Sequence, residues 1–228
     1  MSSRIGADAV NPSMVARLDA VRVDRHRITI LRDLSLAIAV GEVVGVLGAN
    51  GSGKSTLLEV LATLIRPTSG TVELFGRRLD AAGRRAVRPR IGLLGHTAAL
   101  YDRLTLAENL RLVARLIGQP AERADAVLAE VGLERAADRL AVACSQGMRR
   151  RADLARVLLT RPGLVLLDEV HAGLDPDAVP LVDDVVRTVA GRDGAACVLV
   201  SHEPDRLAGL CDRLVRVRSG RVEVEEPT

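Results

Sequence analysis

Eight residues constrain this chain more than any others: Gly48-Ala49-Asn50-Gly51-Ser52-Gly53-Lys54-Ser55, a G-x-x-x-x-G-K-S spacing. Ahead of them Glu42-Val43-Val44-Gly45-Val46-Leu47 is apolar and β-branched without clean alternation, the pattern of a strand buried on both faces. Behind them Ser55 to Ile65 is helical. Strand, glycine loop and helix in that order build a phosphate cradle, because glycines let successive N–H groups point inward and the helix N-terminus adds a favourable dipole. Lys54 is the only lysine in the chain, every other basic side chain being arginine. That position demands an ammonium group. Gly48, Ala49, Asn50, Gly51, Ser52 and Gly53 would wrap the phosphates and Lys54 would reach the β- and γ-phosphates. Ser55 would offer its hydroxyl to Mg²⁺ and Thr56 would contact the α-phosphate side.

Composition narrows the setting. Of 228 residues 48% are hydrophobic but only 1% aromatic, with no Trp, so the core is Leu, Val, Ala and Ile and no stacking platform for single-stranded nucleic acid is available. Thirty-two basic residues against 29 acidic, a net charge of +3, describe a solvated surface and no nucleic-acid partner. Cys144, Cys197 and Cys211 are odd in number and form no CxxC pair, which argues against a disulfide framework or a zinc site and fits a reducing cytosol. No apolar run approaches the roughly 20 residues of a membrane span, and Met1 to Val15 carries no leader pattern. If the protein works at a membrane, another chain spans it.

Further along, β-like segments run from Val15 to about Ala39 with a polar interruption at Asp24 to Arg27, and buried strands are predicted at Ile91–Leu94, Leu164–Leu167 and Cys197–Val200. Leu104 to Leu159 reads almost wholly as helix, with Leu106, Leu110, Val113, Ala114 and Ile117 on one stripe and Val127, Leu128 and Val131 on another. Pro176 opens another helix, and Arg213 to Val224 forms a hairpin around Ser219-Gly220. Leu164-Val165-Leu166-Leu167 ends in Asp168-Glu169, so a buried strand delivers two carboxylates at its C-terminal edge. Asp168 would hold Mg²⁺, and Glu169 would orient or deprotonate an attacking water.

From about Val15 to Val224 the sequence resembles the ATP-binding-cassette ATPase family. Cys144-Ser145-Gln146-Gly147-Met148-Arg149-Arg150-Arg151 is similar to its LSGGQ signature, with Ser145 and Gly147 retained. The resemblance implies an α/β fold, a P-loop NTPase (RecA-like) core with an N-terminal antiparallel β subdomain and an α-helical insertion at about 97–159, in a single domain over 15–226 after a tail at 1–14. It implies ATP and Mg²⁺ as ligands, and a homodimer in which Ser145 and Gly147 of one copy meet the nucleotide of the other. Asp175, in Ala172-Gly173-Leu174-Asp175, matches the loop that couples the two sites, and His202 matches the switch histidine that bonds the γ-phosphate. His96 stands where the family usually has the switch-loop Gln, and Val170 and His171 also depart from the pattern. Arg25 or His26 lies where a Tyr stacks on adenine.

Gly95-His96, Leu100-Tyr101 and Leu104-Thr105-Leu106-Ala107-Glu108-Asn109-Leu110 resemble the haem-exporter ATPase subunit of cytochrome c maturation. Ser-x-Gly-Met is also found in ATPases of multidrug, antibiotic and polysaccharide exporters, the alternative. The resemblance implies a peripheral ATPase at the cytoplasmic face of the inner membrane, docked on an integral membrane permease. It places the insertion against that permease, with Tyr101 as either a coupling contact or a half-buried loop anchor.

Overall fold

The computed structural model describes residues 14–95, 97–169 and 179–224. The chain opens with two long strands, β1 (Met14–Arg25) and β2 (Ile28–Ala39), antiparallel with Arg25 opposite Ile28. His26 and Arg27 between them both have positive φ, 49° and 66°, which is the two-residue turn geometry whose twist suits a hairpin. β4 (Ser69–Leu74) pairs with the other edge of β1, and β5 (Arg77–Arg78) extends the sheet in the order β2-β1-β4-β5.

A second sheet has the order β10-β9-β3-β8-β7-β6. β3 (Val43–Leu47), β6 (Ile91–Leu94), β7 (Leu164–Asp168), β8 (Ala196–Val200) and β9 (Arg213–Arg218) are parallel, and β10 (Arg221–Val224) closes the edge as an antiparallel hairpin with β9. Each central strand feeds two cores through the pleat. Val44, Val46, Leu164, Leu166, Val198 and Val200 pack on α1 (Lys54–Leu61) and the first sheet. Val43, Leu47, Val165, Leu167, Cys197 and Leu199 pack on helices of the opposite face. Burial on both sides is why these segments read as unbroken apolar runs.

Those helices are α3 (Leu106–Leu116), α4 (Ala121–Glu130), α5 (Gln146–Thr160) and α6 (Val179–Asp193), while α2 (Ala81–Val87) follows β5 and α7 (Pro204–Ala208) follows β8. The predicted helical insertion is thus three helices, with residues 131–145 between α4 and α5 built from turns and short 3₁₀ segments. Leu106, Leu110 and Ala114 are buried as the stripe predicted, but Ile117, at the C-cap of α3, is 44% exposed. α1 stops at Leu61 rather than Ile65: Thr63 adopts φ 60°, and the amides of Leu64 and Ile65 turn back to the Glu59 carbonyl. β4, β5 and α2 carry no clear sequence pattern and are findings of the structure. The start of the helix predicted at Pro176 lies outside the described residues. Among those described, no helix is long and apolar enough to cross a membrane.

Candidate functional site

The carboxyl ends of β3, β8 and β7 lie side by side, and each delivers a different chemical group. β3 ends at the buried Leu47 and hands the chain to the glycine loop. Gly48 has φ 149°, and a Cβ there would sit 2.4 Å from the Val217 carbonyl oxygen, so neither the dihedral nor the space admits a side chain. Lys54 is only 6% exposed, and its ammonium folds back into the loop, donating to the carbonyls of Gly48 at 2.7 Å and Ala49 at 3.0 Å. α1 has Gly53 as its N-cap and no side-chain capping bond, so its first-turn amides are left for another acceptor. Ser52 Oγ is buried without a partner. Ser55 is exposed at the helix start and Thr56 is buried behind it.

The loop is held from below by the β9–β10 turn. Gly220 N–H donates to the Ser52 carbonyl at 3.1 Å, and Arg32 N–H of β2 donates to the Gly220 carbonyl at 2.8 Å. A Cβ on Gly220, at φ 80°, would come within 2.2 Å of the Ile30 carbonyl oxygen. A cleft of about 410 Å³ opens between Gly48–Ser52 and Arg216–Ser219.

At the end of β7, Asp168 is half-buried, and Glu169 takes φ 49° with its N–H donating to the Val200 carbonyl at 3.0 Å. That conformation is uncommon for a residue with a Cβ and aims the carboxylate toward the end of β8. His202, just past β8, lies with Nε2 2.5 Å from Glu169 Oε1. Since β8 separates β3 from β7, His202 leaves the sheet between the strand that carries the glycine loop and the strand that carries the carboxylate. Ser55 and Asp168 offer hard oxygen donors, and among the described residues there is no cluster of three or more His, Cys, Asp or Glu that could cage a metal ion by itself. A hydroxyl and one carboxylate beside a phosphate cradle fit Mg²⁺, which keeps waters and shares phosphate oxygens.

Comparison with known proteins agrees with this geometry. A family model described as ABC transporter matches residues 31–172. The chain belongs to that family. It is 39% identical over 199 residues to the daunorubicin/doxorubicin resistance ATP-binding protein DrrA of Streptomyces peucetius, covering 86% of this chain and 60% of that protein. It is 36% identical over 199 residues to the methionine import ATP-binding protein MetN of Ralstonia nicotianae, covering 84% and 57%. The chain thus spans about three-fifths of the length of these curated relatives. A solved dimeric, post-hydrolysis ATP-binding cassette, MJ0796 with ADP and phosphate, superposes with a TM-score of 0.83 at 28% identity, over 92% of this chain and 97% of that one.

In this ABC family member the signature-like segment starts α5. Ser145 is its N-cap and accepts a hydrogen bond from Met148 N–H at 3.2 Å, while Gly147 is buried. The hydrogen bonds of Ser145 stay within its own helix, so within one copy the structure does not bring it to the glycine loop. His96 and Asp175 lie outside the described residues. Arg25 is committed to an ion pair with Glu59 at 3.1 Å, and His26 is the exposed turn residue beside it.

Tyr101 is 67% exposed, so it is not a half-buried anchor; its backbone is what is anchored. Asn109, 4% exposed, accepts from Tyr101 N–H at 2.7 Å and donates to the carbonyls of Tyr101 and Thr105. Thr105 and Glu108 form a reciprocal capping box at the start of α3. The motif Leu104 to Leu110 is therefore a cap and a clamp around the Tyr101 turn. Sequence reasoning gave no role to Asn109 or Arg150, yet Gly147, Arg150, Leu154 and Val157 fall at helical spacing on the buried face of α5.

Proposed function

We propose that this chain is the ATP-binding and ATP-hydrolysing subunit of an ABC exporter, working as a homodimer docked on a separate integral membrane permease at the cytoplasmic face of the inner membrane. The convergence of the glycine loop, Glu169 and His202 on one sheet edge carries the reading. Residues Gly48 to Thr56 would hold the triphosphate, with the Lys54 ammonium exchanging the carbonyls of Gly48 and Ala49 for phosphate oxygens. Ser55 and Asp168 would hold Mg²⁺, which supplies charge neutralisation at the phosphates when bound.

The contact between His202 and Glu169 masks the general base, since the imidazole takes the carboxylate oxygen that a water would use. A γ-phosphate drawing His202 away frees Glu169 to orient that water, so substrate entry itself arms the site. Ser145 and Gly147, which make no hydrogen bond to their own glycine loop, would meet the nucleotide of a second copy; the dimeric neighbour bound to ADP and phosphate supports this arrangement. His96, at the switch-loop Gln position, would act on the nucleotide of its own copy, reaching Mg²⁺ through water, and Asp175 would couple the two sites. The working domain is residues 15–226, with the insertion at 97–159 facing the permease.

For the cargo we favour haem export, on the motif Leu104 to Leu110 and Gly95-His96. Drug export is supported by the 39% identity to DrrA, and methionine import by the 36% identity to MetN. Glu169→Gln should keep ATP binding and abolish turnover; unchanged turnover removes Glu169 from its role. That variant, trapped with ATP and purified from detergent-solubilised native membranes, should bring down a stoichiometric permease. A cytochrome-maturation permease supports haem export, a drug- or methionine-type permease replaces it, and no membrane protein at all overturns the transport reading.

A further inference from the structure

Arg150 is the one arginine of the run Arg149 to Arg151 that is buried, at 5% exposure. Among the described residues its guanidinium makes no hydrogen bond to a carboxylate. It donates through Nη1 to the Gly95 carbonyl, and Nη2 lies 3.5 Å from the Asp168 carbonyl oxygen and 3.4 Å from that of Glu169. Burial pulls its pKa down, partly offset by the nearby Asp153 and Asp168. A buried cation whose hydrogen bonds go to backbone oxygens is costly to keep.

The contrast with Arg156 on the same helix is direct. Arg156 pairs with Asp153 at 2.9 Å and donates to the Leu93 carbonyl at 2.7 Å, which fastens α5 to β6 inside the core. Arg150 lies a turn and a half closer to the start of α5 and grips the points where β6 and β7 leave the sheet. Gly95 immediately precedes His96, and the other two carbonyls belong to the two acids. Glu169 sits at φ 49°, a conformation that persists only when its surroundings hold it, and among the described residues Val200 bonds its N–H and Arg150 makes a longer contact to its carbonyl.

We infer that Arg150 is a positioning residue for hydrolysis: carried on the signature helix, it fixes the peptides of Gly95, Asp168 and Glu169 together and so sets where the Glu169 carboxylate points. It also makes the helix that begins at Ser145 and the acids of the same copy a single mechanical unit. The inference rests on the proposed ATPase function.

The test compares wild type, Arg150→Met and Arg150→Lys in the full chain. Arg150→Met should lower kcat about 100-fold, the scale of an ångström-sized misplacement, while ATP affinity by equilibrium dialysis stays within about twofold. In the nucleotide-free protein, amide hydrogen exchange should speed up over residues 93–102 and 164–169 and not elsewhere in α5. Arg150→Lys, which keeps the charge but loses the fork that spans separate carbonyls, should recover part of kcat at unchanged KM. An unchanged kcat in Arg150→Met, or an affinity that falls in step with kcat, overturns the inference. Should Arg150→Met fail to fold, Arg150→Lys decides, and wild-type kcat with wild-type exchange refutes the role. Absence of ATPase activity in wild type would instead defeat the proposed function, leaving the exchange result to judge Arg150 alone.

Discussion

Helix α1 starts open and helix α5 starts closed. Both carry residues proposed to meet phosphate. α1 has a glycine N-cap with no side chain to spend on its own amides, and a buried ammonium held in reserve inside the loop. α5 uses Ser145 to satisfy its own Met148 amide, and its arginines turn back toward the body of the protein. A serine hydroxyl that accepts from an amide still has its proton to give, so α5 can offer one donor outward while remaining stable alone. The difference teaches that the α1 site is organised within one copy, whereas the start of α5 is already satisfied by its own helix and is free for the second copy proposed above.

The sharpest way to break that contrast is to empty the open site. Lys54→Ala removes a charge-assisted contact of about 1.5–3 kcal/mol and should weaken ATP binding roughly 10- to 100-fold at concentrations where the chain is monomeric. Equal binding by equilibrium dialysis would contradict the open-site reading. Gly48→Ala should follow, destabilising the fold by about 1–3 kcal/mol because its Cβ meets the Val217 carbonyl at a φ that side chains rarely adopt. A thermal melt unchanged from wild type would show that the loop yields.

Ser145→Ala probes the closed end. Loss of the cap should cost about 1 kcal/mol, a fall in Tm of roughly 2–4 °C, with a further loss of turnover only at concentrations where copies pair. A turnover loss independent of protein concentration would put Ser145 in its own copy's site and erase the distinction.

A separate effect is alkaline. Burial holds the Cys197 and Cys211 thiols up at about 12, against an ordinary 9.0. Between those values the unfolded chain has released protons that the folded chain still binds, so stability is complete below about pH 9 and declines as pH rises toward 12. Melts from pH 8 to 11 should show that decline, shallower in Cys211→Ala. Cys144, half-buried beside the start of α5, should be alkylated first in the native protein.

The open helix was legible in the sequence and the closed one only half so. The glycine spacing, the lone lysine and the two-sided burial of β3, β7 and β8 are local patterns that predicted the loop and its strands, as Ser219-Gly220 predicted the β9–β10 hairpin. β4, β5 and α2 escaped because β4 is mostly half-exposed and takes its register from β1, more than forty residues away in sequence. Arg150 escaped for a different reason: a residue type that is almost always solvated occupies a core-facing position, and only the partners around it reveal that. The pairing of Glu169 with His202 joins two strand ends and is likewise a product of topology rather than of either motif.

The turn at Ser219-Gly220 closes on the Ser52 carbonyl and on β2, two segments made long before it. During synthesis the phosphate motif therefore emerges early but stays unshaped until the hairpin has been translated and docked, because its floor is a contact of very large sequence separation. A nascent chain halted before Arg213 should carry the motif and not retain ATP, which would make nucleotide capture a late event.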